Sequence, residues 1–110
     1  MEPDRLLANL RKGVVEPCVL AVLREHEVYG VDLAHRLVGA GLLAGEGSLY
    51  PLLARLRTAG LVTTRWEESP SGPPRRYYRL TPEGSATVDR FIEAWRPFAG
   101  AVDTILKETA

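Results

Sequence analysis

Apolar residues recur along this chain at a helical period, then at a strand period, then at a helical period again. Leu6, Leu7 and Leu10 share one face of a short helix that Asp4 is placed to cap, and Gly13 breaks the pattern. A second helix is expected to begin near Glu16-Pro17, because proline suits the first helical turn, and to carry Val19, Leu20, Val22 and Leu23 as far as about His26. A third, over 31–38, spaces Leu33, Ala34, Leu37 and Val38 for burial and stops at Gly39-Ala40-Gly41. Beyond the flexible Gly45-Glu46-Gly47, Leu49, Leu52, Leu53 and Leu56 recur at i, i+3, i+4 and i+7 and predict a fourth helix. Ser48 is its expected N-cap, Pro51 falls where a missing N–H is harmless, and Gly60 supplies the stop. Opposite the leucines stand Tyr50, Ala54 and Arg57, flanked by Pro51, Arg55 and Thr58.

After Gly60 the period changes. Residues 61–66 and 76–80 are β-branched and aromatic and read as strands; the intervening Ser69-Pro70-Ser71-Gly72-Pro73-Pro74 is too polar and broken for regular structure, so a hairpin with a long tip is expected. Thr81-Pro82-Glu83-Gly84 then reads as an N-cap followed by proline at the first helical position. In the last helix Val88, Trp95 and Val102 stand seven apart, as do Phe91, Phe98 and Ile105, while Ile92, Ala99 and Leu106 widen the stripe. A terminal helix this apolar predicts a partner helix, with Val88, Phe91, Ile92, Trp95, Phe98, Val102 and Ile105 at the contact. Pro97 is expected to kink or interrupt it.

The 110 residues allow one domain, and 45% hydrophobic with 25% charged residues is the composition of a folded chain. No apolar run approaches the ~20 residues of a membrane span, and Met1-Glu2-Pro3-Asp4-Arg5 lacks the pattern of a signal peptide, so a cytoplasmic protein is expected. Cys18 is the one cysteine, set in an apolar stretch and read as a small hydrophobe; His26 and His35 have no metal-ligand spacing. No cofactor or metal is expected, and no enzyme: there is no glycine-rich phosphate loop between strand and helix and no nucleophile–base motif. Net charge is zero, but residues 48–79 hold six arginines against two acids, a local +4 offset by −4 elsewhere. Positive charge is needed only where phosphates approach.

The order of elements is that of a winged helix-turn-helix: a mainly α fold with a small β-hairpin, an N-terminal helix and a C-terminal dimerisation helix. Residues 1–80 form the DNA-binding unit and 81–110 the dimerisation helix in this reading. The helix after Ser48 suits a major groove, and the hairpin brings its arginines beside it. The candidate DNA-binding residues are Ser48, Tyr50, Pro51, Arg55, Arg57, Arg75, Arg76 and Tyr77. Tyr77 and Tyr78 read either as a stacking platform for single strands or as packing around the hairpin, and Trp66 reads as hairpin packing rather than as a base contact. Trp95 either fills a dimer core or, with Phe91 and Phe98, lines a pocket for a planar aromatic molecule. The competing function is a winged-helix module that holds proteins and binds no DNA.

The chain also resembles the PadR-like transcriptional regulators. The matching stretches are 10–17, 19–23, Tyr29-Gly30, 47–56 and Gly60-Leu61-Val62, and the most specific is Arg75-Arg76-Tyr77-Tyr78-Arg79-Leu80-Thr81-Pro82-Glu83-Gly84. The resemblance implies a prokaryotic regulator, commonly a repressor, that binds double-stranded operator DNA at an inverted repeat and is released by a small molecule. It looks like the short subfamily, which dimerises through the C-terminal and N-terminal helices, and this adds Leu6 and Leu10 to the homodimer contact. Trp95 resembles the tryptophan that drug-sensing members stack on flat ligands. Two positions depart from the family: Pro73 stands where an arginine often follows the wing glycine, and Ala99 where such sensors carry an acid.

Overall fold

The leucines opposite Tyr50 and Arg57 set the core. The computed structural model describes residues 3–109, so what was read from Met1 and Glu2 lies outside the described residues. The elements are α1 (Pro3–Arg11), α2 (Val15–Val22), β1 (Val28–Tyr29), α3 (Gly30–Gly39), a 3₁₀ turn (Glu46–Ser48), α4 (Leu49–Thr58), β2 (Val62–Ser69), β3 (Gly72–Leu80) and α5 (Pro82–Glu108). Leu49, Leu52, Leu53 and Leu56 of α4 meet Leu33, Ala34 and Leu37 of α3, Val19 and Leu20 of α2, and Val62, Tyr78 and Val88 in one buried cluster. This is the winged helix-turn-helix fold with α5 laid against α2.

Several elements depart from what the pattern predicts. Asp4 lies inside the first turn of α1 instead of capping it. Helix α2 stops at Val22, because the N–H groups of Leu23 and Arg24 bond to Leu20 and Ala21 in a tightened last turn. Ser48 stands at the start of α4, yet its backbone is already helical (φ −74°, ψ −13°), which a capping serine's is not. Its hydroxyl donates to the Gly45 carbonyl at 2.7 Å, and the 3₁₀ turn feeds the chain directly into α4.

The hairpin is longer and its tip shorter than expected. Strands β2 and β3 pair from Val62↔Leu80 out to Ser69↔Gly72, leaving only Pro70-Ser71 as the turn. Prolines 73 and 74 are tolerated because β1 pairs β3 only at Tyr77 and Tyr78, so the outer part of β3 has one edge in water, and a bulge between Glu67 and Ser69 relaxes the other. Strand β1, two residues long, has no period of its own and exists only through this pairing, giving the order β1-β3-β2.

Thr81 does cap α5: its hydroxyl accepts from the Gly84 N–H at 3.0 Å, with Pro82 at the helix start. A Cβ on Gly84 would stand 2.2 Å from the Leu61 carbonyl oxygen and 2.5 Å from Leu80 Cδ1, so only glycine lets α5 close on the root of the hairpin. Pro97 does not interrupt α5, which runs unbroken for 27 residues. Pro97 and Glu93 are both exposed, so the carbonyl that loses its helical bond faces water.

Candidate nucleic-acid interface

Alternation along β3 puts Arg75 and Tyr77 on one face of the sheet and Arg76 and Tyr78 on the other. The two arginines expected to work together are therefore separated. Arg75 is exposed, its guanidinium 5.1 Å from the ring of Tyr29, which in turn packs on Tyr77 at 5.7 Å. Tyr77 also lies under Arg65, 4.6 Å away, so it is occupied by neighbours of its own sheet face. Arg76 is half-buried against the rings of Trp66 and Tyr78, and its Nη2 donates to Thr64 Oγ1 at 3.2 Å. Of the two tyrosines, Tyr78 enters the core and Tyr77 covers the sheet, which is the packing alternative.

Helix α4 presents Tyr50, Pro51, Ala54, Arg55 and Arg57 to solvent while its leucines are sealed. Arg57 has no ion pair among the described residues. Arg55 does: its Nη2 reaches Glu16 Oε1 at 3.2 Å, tying α4 to α2. Tyr50 sits where α3, α4 and the sheet converge. Partial burial, then the Glu46 carboxylate and the phenols of Tyr29 and Tyr78, push its own phenol above the usual value. It remains a neutral hydrogen-bonding group. His35 Nε2 meets Glu46 Oε1 at 2.8 Å and ties α3 to the turn before α4.

The positive stretch is thinner than its sequence. Arg65 forks onto Glu27, with Nε at 2.8 and 3.0 Å from the two carboxylate oxygens, and reaches Glu67 at 3.2 Å through Nη1. These bonds raise the Arg65 pKa further and hold the Glu27 carboxyl below its usual value. Glu27 was not singled out in the sequence; it lies 38 positions from Arg65, and no local pattern announces the pair.

A second surface lies at the other end. Leu6, Leu7 and Leu10 of α1 and Trp95, Phe98, Val102, Ile105 and Leu106 of α5 are between 41% and 63% exposed. Between the two helices runs an open groove of about 930 Å³, lined by Leu10, Phe91, Trp95, Phe98 and Val102, with Lys12 and Asp103 at its margin. Trp95 stacks on Phe91, centroids 5.6 Å apart and planes 16° from parallel. Cys18 lines an adjoining apolar hollow with Trp95, half-buried, its thiol pKa raised by burial. Val88, expected at a contact between chains, is 1% exposed and belongs to the core of its own chain, because the first turns of α5 pack on α2; Ile92 is half-covered there too. Among the described residues no cluster of His, Cys, Asp and Glu is able to hold a metal ion, and no helix is long and apolar enough to cross a membrane.

Residues 19–90 match the Transcriptional regulator PadR-like family. The chain is 32% identical over 82 residues to the transcriptional regulator Rv3488 of Mycobacterium tuberculosis, covering 74% of this chain and 76% of that one. A PadR-like transcriptional regulator from Bacillus cereus superposes with a TM-score of 0.79 at 34% identity, covering 89% of this chain and 96% of that one. Bacillus subtilis PadR, whose structure is in complex with operator DNA, shares the fold at a TM-score of 0.67 and 24% identity, over 73% of this chain and 47% of that one.

Proposed function

Because the chain belongs to the PadR-like family of transcriptional regulators, a family of regulators and not of enzymes, we propose that it represses nearby genes by binding operator DNA as a homodimer in the cytoplasm. The observation that carries this reading is α4: its apolar face is sealed while Tyr50, Pro51 and Arg57 stand free beside the hairpin. A helix so presented fits a major groove, and Arg57 suits a bidentate contact to a guanine edge. Arg75 lies toward the flanking phosphates, while Ser48 and Tyr77 support the two elements. That Bacillus subtilis PadR was solved with operator DNA on the same fold supports the reading. The test is a gel shift with the DNA upstream of the gene across a salt series. Affinity that falls linearly with salt on logarithmic axes is expected; no shift at low salt overturns the reading and favours a protein-binding module.

Residues 81–110 with α1 form the dimer contact in this proposal, through Leu6, Leu10, Phe91, Trp95, Phe98, Val102 and Ile105. A second copy brings its own exposed stripe and closes the groove. Two α4 helices on a two-fold axis then meet half-sites roughly 34–36 Å apart, and the operator is an inverted repeat. The closed groove, with Trp95 stacked on Phe91 and Phe98 at its rim, suits a planar aromatic effector. Such a ligand releases DNA by preferring a dimer whose α4 spacing no longer fits.

A further inference from the structure

Trp66 is the one large aromatic of the hairpin that neither the core nor the contacts proposed above use. It stands on β2, 63% exposed, directly across the ladder from Arg76. The Arg76 guanidinium lies 5.2 Å from the indole centroid and 5.7 Å from the ring of Tyr78. Nη2 is bonded to Thr64, and Nε is buried with no partner. An arginine held by two rings and a hydroxyl is a spacer: reaching away from the hairpin would break all three contacts. Its position fixes the plane of the indole.

The same contacts continue inward. A Cβ on Gly30 would lie 3.2 Å from Tyr78 Cε1 and 3.7 Å from Tyr50 Cε1, so the two rings meet over this glycine. Tyr50, Tyr78, Arg76 and Trp66 therefore form one ladder from the exposed face of α4 to the outer half of the hairpin. Trp66 is thus joined to the exposed face of α4 through Arg76 and Tyr78.

We propose that Trp66 is a DNA-contacting residue, laying its indole along the sugar–phosphate backbone that flanks the groove entered by α4, and that Arg76 is the positioning residue that aims it. This rests on the DNA-binding reading above. Deoxyribose offers apolar C–H surface to the ring face, and the indole N–H donates to a phosphate oxygen. The surroundings favour an anionic partner over an apolar protein. Arg76 brings its charge to the indole on the same sheet face, while the carboxylate of Glu67, the next residue along β2, belongs to the other face and is taken up there by Arg65. Contact with sugar and phosphate carries no sequence information, so any duplex reports it.

The two tryptophans of the chain make the test direct. Protein labelled with 5-fluorotryptophan gives two ¹⁹F resonances, and Trp66→Phe assigns them. Titration is with a mixed-sequence duplex of about 30 base pairs at low salt, where non-specific binding is measurable. The Trp66 resonance is expected to move along the binding curve. Trp66→Ala should bind about tenfold more weakly, the scale of one aromatic stacking contact, with an unchanged salt slope because the indole is neutral. Arg76→Lys keeps the charge but loses the plane, and is expected to match Trp66→Ala; wild-type affinity in Arg76→Lys would overturn the positioning role. A Trp66 resonance that stays still while the duplex binds overturns the contact and leaves the DNA reading intact. If the wild type binds no duplex at any salt, that reading fails and takes this one with it. A change of sedimentation state in Trp66→Ala would assign the indole to a contact between copies and overturn the proposal.

Discussion

Helices α4 and α5 carry the same kind of apolar stripe and meet opposite fates. In α4 the four leucines are between 0% and 7% exposed, and the polar face is what remains free. In α5 only the first turns are covered, and beyond Phe91 the stripe opens to solvent from Trp95 to Leu106. Period alone gives a helix an apolar side; the rest of the chain decides whether that side is used at home. A helix with its apolar side satisfied offers chemistry on the other face. A helix with it unsatisfied offers adhesion, and its stability is tied to the concentration of the partner.

The sharpest way to break this contrast is at its hinge. Gly84→Ala puts a methyl group where a carbonyl oxygen stands 2.2 Å away, so α5 has to lift off the hairpin root. A loss on the order of 3–5 kcal/mol is expected, read by urea denaturation, together with exposure of Val88. Next, Leu53→Ala empties a fully buried site in α4 and should cost about 2–5 kcal/mol at every protein concentration. The matched change in α5, Phe98→Ser with Ile105→Ser, should leave the winged fold intact by circular dichroism yet give monomers in sedimentation velocity. If the double variant unfolds as readily as Leu53→Ala, the two stripes do the same job and the contrast is lost.

On the polar face of α4 the effect is smaller. Arg57→Ala is expected to weaken operator binding by roughly 1–3 kcal/mol and to relax preference at one base pair. Arg55→Ala should weaken it less, because Arg55 is engaged by Glu16. Competition gel shifts with single-base operator variants check both, and equal losses for the two would mean that the Glu16 pair opens on DNA.

The helices were legible because their burial follows from period: every leucine placed inside α3 and α4 is inside. What the sequence hid depends on residues far apart. Strand β1 is made by its pairing with Tyr77 and Tyr78, and the prolines of the hairpin look like breakers until one knows that their edge is unpaired. Ser48 fails as a cap because it is already the last residue of a 3₁₀ turn, and no spacing of side chains shows that. The candidate DNA residues fall on the turn before α4, on α4 and on β3, but alternation along β3 divides Arg75 from Arg76, and the partners of Arg55 and Arg65 come from 39 and 38 positions away. Counting arginines overstated the free charge.

The smallest effect concerns that same pairing of charges. Arg65 holds the Glu27 carboxyl below its ordinary value of 4.5, through hydrogen bonds more than through distant charge. A carboxyl depressed in the folded state contributes stability that is fully present above its unfolded pKa and is lost as pH falls through the folded one. The bond between the root of the hairpin and the turn before β1 should thus be intact at neutral pH and open in acid, below 4.5. Both side chains are partly in water, so the gain in global stability is slight and a melting curve is the wrong probe. The Glu27 side-chain carbon, followed by NMR against pH, reads it directly. Its midpoint should lie below those of exposed glutamates and return to theirs in Arg65→Ala, while amide exchange in β2 speeds up over the same pH range. A Glu27 midpoint unmoved by Arg65→Ala would show the pair to be incidental, and would return Arg65 to the arginines available for phosphate.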